Sequence, residues 1–240
     1  MKRKWNWHTV ITWSIRILFV IEFFVPILMW IFRGQNDVRF MNMATSLIGL
    51  ALTFIPEMVD KLSNRKMHFS SALSLAIVLF IFAAEFLGEI KDFYYRIPWW
   101  DTMLHTMSGV ILGLIGFMLV FALNESNRTT VHLSPIFICF FAFCFALACG
   151  AVWEIFEFGA DRLLNMDMQK FRPPAGVTTL SADGWQYDAG LVDTMGDLIC
   201  DALSALGTCL AGFVALSIRQ KKKAKRAAAE DKKEAESGDI

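Results

Sequence analysis

The chain has 240 residues, 55% of them apolar, and a mean hydropathy of +0.46. This is more apolar than an ordinary soluble domain, whose apolar share, glycine included, is nearer one half, so the composition argues against a soluble enzyme and indicates a membrane protein. The formal net charge of zero hides an asymmetry, since basic residues crowd a few junctions while acidic residues lie near or inside apolar segments.

Six segments in chain order are apolar enough to cross a bilayer, whose hydrocarbon core needs about 20 mainly apolar residues per helix. They are residues 9–32, 42–60, 70–90, 101–123, 135–160 and 191–218. The first follows a basic N-terminus, as in a signal peptide, but no small-x-small cleavage site comes after it, so we expect it to remain as a transmembrane helix. The sequence therefore predicts an all-α integral membrane protein with a six-helix domain over residues 1–218.

The distribution of Lys and Arg predicts an orientation. On one side of the six spans, residues 2–4, 61–66, 128 and 219–226 carry thirteen of these residues, and the loops on the other side carry seven. Cytoplasmic segments are the richer in Lys and Arg. We therefore expect both termini in the cytoplasm and placement in a bacterial cytoplasmic (inner) membrane, with lipids as partners and no nucleic-acid partner.

Two segments lie outside the spans. Residues 219–240 form a charged cytoplasmic tail, which we expect to be solvated and partly disordered, with its Lys and Arg near anionic lipid. The outer connection 162–190, between the fifth and sixth spans, contains Pro173, Pro174, Gly176 and Gly184. Loops of this length are typically lids, binding loops or linkers.

Acidic residues concentrate in one leaflet. With this orientation, the third and fifth spans end, and the fourth and sixth begin, at the outer surface, and their acids lie at most about 15 Å below it. Helical spacing groups some of them into stripes, because residues three or four positions apart share a helix face. The stripes are Asp193, Asp197 and Asp201 in the sixth span and Glu154, Glu157 and Asp161 in the fifth. Charges at membrane depth normally face the bundle interior, so we expect these acids to face one another.

Simpler explanations remain open for the acids at the span ends, which can be helix N-caps or ordinary interface residues. These residues are Asp101, Asp193, Glu89 and Asp161. Caps do not explain His105, Glu154, Asp197 and Asp201, which lie deeper in their helices, and for these four we favour a functional role.

A carboxylate-rich set with one imidazole suits a divalent metal, with Mg, Mn or Ca favoured over Zn. We predict metal ligands at Asp101, His105, Glu154, Glu157, Asp193 and Asp197, and catalytic proton transfer by His105 or Glu154. Residues that would support these ligands or bind substrate are Glu85, Glu89, Arg96, Asp161, Arg162, Arg172 and Asp201. The five cysteines all lie in apolar runs and are interpreted as small hydrophobic residues.

Three functions fit this pattern. In the first, the metal would bind the phosphate of a lipid-phosphate or envelope-lipid head group at the outer leaflet, and the protein would be an enzyme or a binding protein. Alternatively, the same acids would serve an ion- or proton-coupled transporter, although the inner half offers only Glu22, Glu57 and Asp60, with Arg16 as a partner for one of them. A non-catalytic scaffold that binds a partner through residues 162–190 is the third. Substrate, reaction and oligomeric state stay open.

Four sequence runs occur in an order that resembles the YjdF-like multi-pass bacterial membrane proteins. They are LTFIPEMVDKL, FLGEIKDFYYRIPWWDTMLHTMSG, WEIFEF and GLVDTMGDLICDALSALG. The Asp-x-x-x-His opening of the fourth span is more loosely similar to VanZ-like proteins. The resemblance covers roughly residues 50–207. It implies a multi-pass topology and singles out the six predicted ligands, but it implies no reaction.

Overall fold

The structure is a computed structural model that describes residues 6–33, 40–63, 67–124, 133–164, 166–170 and 189–238. The helices are α1 (Trp7–Arg33), α2 (Phe40–Leu52), α3 (Ile55–Leu62), α4 (Ser71–Ile81), a π-helical segment (Phe82–Ile90), α5 (Phe93–Arg96), α6 (Trp100–Asn124), α7 (Pro135–Leu164) and α8 (Ala189–Gly238). Within these described ranges, five spans are long and apolar enough to cross a membrane, and the bent pair of α2 and α3 makes a sixth if it is counted as one. The predicted all-α multi-pass fold is confirmed, while the orientation of the termini stays a prediction.

The second span is broken between α2 and α3, which meet at an angle of 40°. Pro56 lies in the first turn of α3 and cannot continue the backbone hydrogen-bond ladder. Arg16 from α1, only 4% exposed, donates to the Thr53 carbonyl at 2.8 Å and to the Thr53 hydroxyl at 3.1 Å. The same guanidinium pairs with Glu57 at 2.7 Å, so Arg16 is the partner of one of the inner acids, as the sequence suggested.

The third span changes its winding half-way along. The sequence predicts one helix over 70–90, whereas the structure has α4 followed by nine residues of π-helix. π-Helical turns are uncommon and frequently occur at functional sites. The Tyr94 ring lies against Gly88, so close that a Cβ there would be 2.9 Å from the ring atom Cδ2. Gly88 thus lets α5 pack against the segment that carries Glu85 and Glu89.

The helices pack in two groups. α6, α7 and α8 contact one another, and α1, α2, α4 and the π-helical segment form the second group. Buried apolar side chains fill the second group around Phe19 and Val78, and Ile111 of α6 joins the same cluster. The π-helical segment and α7 end where α6 and α8 begin, and we call this end of the bundle the site end.

α8 continues as one helix through the basic tail to Gly238. Residues 213–237 contain neither Gly nor Pro, and Ala, Lys, Glu and Arg are strong helix formers. The tail is therefore helical up to residue 238, and its described positions from Arg219 to Glu230 are exposed, while its contact with water and its cytoplasmic location stay predictions. The boundary of the membrane domain at residue 218 stays a prediction.

Candidate functional site

His105 lies at the centre of a buried acidic cluster. Its Nδ1 atom is 3.3 Å from Asp201 Oδ2. Its Nε2 atom is 3.7 Å from Glu154 Oε1 and 3.8 Å from both Asp101 Oδ1 and Asp197 Oδ2. We call these five residues the His105 cluster. The imidazole is only 7% exposed, so it interacts with carboxylates rather than with water.

Three helices supply the cluster. Asp101 and His105 lie one turn apart on α6, Asp197 and Asp201 lie one turn apart on α8, and Glu154 comes from α7. Residues four apart share a helix face, which explains why two pairs arrive together. The expectation that these acids face one another is met for this set.

A glycine allows the third helix to approach. Gly150 lies one turn before Glu154 on α7, opposite Asp201, and a Cβ at this position would lie 3.2 Å from Asp201 Cγ. Any larger side chain would push α7 away from the Asp201 carboxylate. The close contact therefore depends on the absence of a side chain at residue 150.

Asp201 orients the imidazole. It is 1% exposed and accepts a hydrogen bond from the Ser108 hydroxyl at 2.5 Å, which fixes its carboxylate. We assign the Nδ1 proton of His105 from its bond to Asp201, and the Nε2 lone pair then faces Asp101, Glu154 and Asp197. Metal-ligating histidines are commonly held by a carboxylate in this way.

The Nε2 side of the cluster has the donor set of a metal centre. Asp101, His105 and Asp197 each offer one ligand atom, and these atoms all lie within 4.8 Å of one another. Oδ2 of Asp197 is buried without a hydrogen-bond partner among the described residues, and the buried Glu154 carboxylate has one hydrogen-bonding neighbour among them, the Thr194 hydroxyl. Buried, unpaired carboxylates are costly. They call for a cation or a proton beyond what one imidazole supplies.

Two further predicted ligands lie next to this set. Glu157 is buried one turn beyond Glu154 and interacts electrostatically with Glu154, Asp101 and Asp193. Asp193 lies one turn before Asp197 and has one buried oxygen without a hydrogen-bond partner in the described part of the chain. The structure brings both towards the cluster but not into the compact three-residue group.

The predicted supporting cations lie elsewhere. Arg96 is exposed and pairs with Asp92 on its own turn at 3.4 Å. Arg162 is exposed, with its guanidinium 5.3 Å from the centre of the Phe158 ring. Arg172 lies outside the described residues. Arg96 and Arg162 are thus both exposed, and the acids at the ends of the third and fifth spans, Glu89 and Asp161, have other partners.

Those two acids use partners that the sequence did not indicate. Glu89 pairs with Lys170 at 2.7 Å. Asp161 accepts hydrogen bonds from the backbone N–H groups of Met168 at 2.6 Å and Gln169 at 3.1 Å. Asp161 therefore holds residues 166–170, which we call the cover segment.

The cover segment is fixed to the helices around the site end. Gln169 is buried and donates from Nε2 to the Gly190 carbonyl at 3.3 Å and to the Thr194 hydroxyl at 2.9 Å. The Tyr95 hydroxyl donates to Asp167 at 2.8 Å. These contacts tie the loop after α7 to both α8 and α5.

Tyr94 is a second residue that the sequence did not single out. Burial raises the pKa of its phenol well above the usual value, and the nearby carboxylates, chiefly that of Asp101, raise it further. The phenol therefore stays protonated at neutral pH and keeps its hydrogen-bond donor. No spacing rule marks Tyr94, because it lies in a short helix between two spans.

The inner acids do not extend the cluster. Glu22, which the sequence assigned to the inner half, pairs instead with Lys91 at 3.0 Å, next to the π-helical segment. Arg16 and Glu57 form their own pair six residues away along α1 from Glu22, or about 9 Å at the helical rise. The fully buried Phe19 lies between them on α1. An apolar layer thus separates the two sets of charges along this helix.

Comparison with known proteins gives a family. The profile of a family described as predicted membrane proteins (DUF2238) matches residues 15–218. The chain belongs to this family. The match spans all of the helices that supply the His105 cluster, and with the apolar spans it establishes this DUF2238 protein as a multi-pass membrane protein.

One relative is described only as an uncharacterised protein. It comes from Thermotoga maritima and is 25% identical over 151 residues, which cover 62% of this chain and 65% of the relative. This DUF2238 protein thus spans a little less than two thirds of that relative. No solved structure matches. The YjdF-like and VanZ-like resemblances stay predictions.

Proposed function

We propose that the His105 cluster binds a divalent metal ion in the outer leaflet of a bacterial inner membrane and acts on the phosphate of a lipid-phosphate or envelope-lipid head group. The observation that carries the proposal is the group of Asp101, His105 and Asp197, whose ligand atoms lie within 4.8 Å of one another. Glu154 and Asp201 complete its surroundings on two further sides.

The spacing of the donor atoms suits an ion of the Mg, Mn or Ca type. Oxygen ligands bind these ions at about 2.0–2.6 Å, so two ligands of one ion lie roughly 3–5 Å apart. The separations of 3.7 and 3.8 Å from His105 Nε2 to the three carboxylates fall in this range. Zinc would favour more nitrogen or sulfur ligands, and the described cysteines lie outside this group.

The chain's own residues divide the remaining tasks. A bound metal ion would neutralise negative charge and polarise a phosphoryl oxygen. Asp201 would fix the tautomer of His105, and Glu154, buried 3.7 Å from His105 Nε2, would accept a proton. Trp99, which is exposed just before α6, suits a membrane interface, so the site end would lie at head-group depth.

Metal binding by the purified full chain in detergent tests the proposal. We expect Mn²⁺ to bind near one ion per chain, and Asp197→Asn to weaken binding by at least about tenfold. Asp92→Asn is the matched control, because Asp92 is partly exposed, pairs with Arg96 rather than with the His105 cluster and has a φ of 61°, which asparagine tolerates. Fewer than about half an ion per wild-type chain, or equal loss in both variants, would refute the metal site.

Ion- or proton-coupled transport is the second candidate, because unpaired carboxylates beside a histidine at membrane depth also suit a proton relay. The apolar layer around Phe19 favours a closed site over a continuous path. Proteoliposomes distinguish the two functions. Asp197-dependent proton or cation flux that needs no lipid phosphate would support transport, and a scaffold would show neither flux nor metal binding.

A further inference from the structure

Lys170 places a mostly buried cation beside the acidic site. Its side chain is 11% exposed and its ammonium is 2.7 Å from Glu89 Oε1. The same nitrogen lies 5.1 Å from the centre of the Tyr94 ring and 5.7 Å from that of Tyr95. Lys170 therefore extends from the cover segment back towards the helices rather than into solvent.

The backbone conformation of the cover segment fixes the direction of the Lys170 side chain. Lys170 has a φ of 54°, a left-handed conformation that is uncommon for residues other than glycine and persists where the surroundings fix it. Asp161 accepts from the N–H groups of the two preceding residues, and the Gln169 amide is anchored on α8. Lys170, the residue with the uncommon backbone conformation, is thus also the residue whose ammonium lies beside the acidic site.

The electrostatic surroundings of Lys170 belong to the same site. Its ammonium interacts with Asp101 of the His105 cluster and with Glu85 of the π-helical segment. An ammonium has three N–H donors, and the pair with Glu89 uses one. The ring of Tyr94, whose phenol is a neutral donor, has its centre 5.1 Å from this ammonium. An anion that enters this acid-rich region needs such donors, because carboxylates alone would repel it.

We propose that Lys170 is the anion-binding residue of the site and holds the dianionic phosphate of a phosphate monoester, on a lipid head group or free, beside the metal at the His105 cluster. This inference rests on the proposed function, which it deepens by naming the ligand class and the residue that recognises it. Phosphate is favoured because a compact ammonium binds it as a point charge through short, charge-assisted hydrogen bonds.

Binding of dihexanoyl phosphatidic acid to the full chain in detergent, with Mn²⁺ present, tests Lys170. We expect Lys170→Met to weaken this binding about 10- to 100-fold, the loss of one charge-assisted hydrogen bond, and Lys170→Arg to restore most of it. Mn²⁺ binding in the absence of lipid should be at least as tight in Lys170→Met as in wild type, because removing a neighbouring positive charge does not disfavour a cation.

Lys91→Met is the matched control. Lys91 also pairs with an intramembrane glutamate, Glu22, at 3.0 Å and also lies over a ring, 5.1 Å from the centre of Phe86. We expect its substitution to leave phosphatidic acid binding unchanged. Thermal melting of each variant shows whether it folds, and Lys170→Gln serves if the methionine variant does not.

The outcomes separate this inference from the proposed function. Wild-type affinity for phosphatidic acid in Lys170→Met, equal loss of Mn²⁺ and lipid binding, or equal binding of dihexanoyl phosphatidylcholine overturns the role of Lys170. If wild type binds no Mn²⁺ but still binds phosphatidic acid through Lys170, the metal site is refuted and the role of Lys170 in anion binding is supported. Both remaining results support the role of Lys170: competition by inorganic phosphate identifies free phosphate as a ligand, and its absence identifies a lipid head group.

Discussion

Replacing Asp201 by asparagine tests whether Asp201 orients His105 while leaving His105 itself unchanged. The side chain at residue 201 keeps its shape and loses its charge. The Asp201 carboxylate accepts from Ser108 at 2.5 Å and from His105 Nδ1 at 3.3 Å. An asparagine turned to keep one of these bonds presents a donor to the other partner. Without a fixed acceptor at Nδ1, the imidazole can carry its proton on Nε2, and that tautomer has no lone pair for a metal.

The expected loss follows from the geometry. Substitution of an acceptor behind a metal-ligating histidine typically weakens metal affinity about 10- to 100-fold. At 3.3 Å the bond to Nδ1 is longer than the usual 2.7–3.2 Å range, so we expect the lower part, about 10- to 30-fold or roughly 1.4–2 kcal/mol. Ser108→Ala, which removes the partner that fixes the carboxylate, should lose less, about three- to fivefold.

Electron paramagnetic resonance of free Mn²⁺ during titration of the purified protein measures these affinities. Asp92→Asn again controls for the change of Asp to Asn. Wild-type affinity in Asp201→Asn would refute the orienting role. A loss as large as that of Asp197→Asn would show instead that Asp201 binds the ion itself.

Three further predictions concern stability and order. Gly150→Ala should lower the melting temperature and weaken Mn²⁺ binding, because its Cβ would crowd the carboxylate of Asp201. Such overpacking costs about 1–3 kcal/mol. The control variant Gly159→Ala, with no atom within 4 Å of its Cβ, should change neither the melting temperature nor Mn²⁺ binding. Arg16→Met should destabilise the fold by about 1–3 kcal/mol, through the lost bonds at the α2–α3 break, yet leave Mn²⁺ affinity unchanged, as melting and titration together measure. Asp161→Asn should speed amide hydrogen exchange in the cover segment, measured by mass spectrometry, because two backbone N–H groups lose a charged acceptor.

Each of these has an opposing result. Equal melting temperatures for the two glycine variants would contradict the close approach of α7 to α8. A fall in Mn²⁺ affinity in Arg16→Met would connect the two charged regions that Phe19 separates. Unchanged exchange at Met168 and Gln169 in Asp161→Asn would show that other contacts hold the cover segment.

The span limits were predictable because hydropathy alone sets them. The fourth span was expected at 101–123 and is found at Trp100–Asn124. The fifth was expected to end at 160 and continues to Leu164. The breaks inside spans were not predictable, because they depend on tertiary partners. The guanidinium that accompanies the α2–α3 break comes from 37 residues away, and the ring of Tyr94 packs against the π-helical segment.

The centre of the site was predictable from helix periodicity combined with membrane depth. Those two rules place Asp101 with His105 on one face and Asp197 with Asp201 on another. They do not place side chains from loops, and Lys170 and Tyr94 were therefore missed. Charge alone suggested Arg96 and Arg162, which lie at the correct end of the bundle, but long side chains at a membrane boundary reach solvent readily.

The position of α8 in the chain determines when the site can form during synthesis. Chains fold from the N-terminus as they are made, and two of the four acids of the His105 cluster, Asp197 and Asp201, arrive only on α8. Until then His105 has Asp101 and Glu154 as its nearest acids and lacks the carboxylate that orients it. An intramembrane acid without a partner costs at least about 2.5 kcal/mol. Docking of α8 is thus the step in biogenesis that completes the His105 cluster, and a chain that stops before residue 189 would enter the membrane without the site.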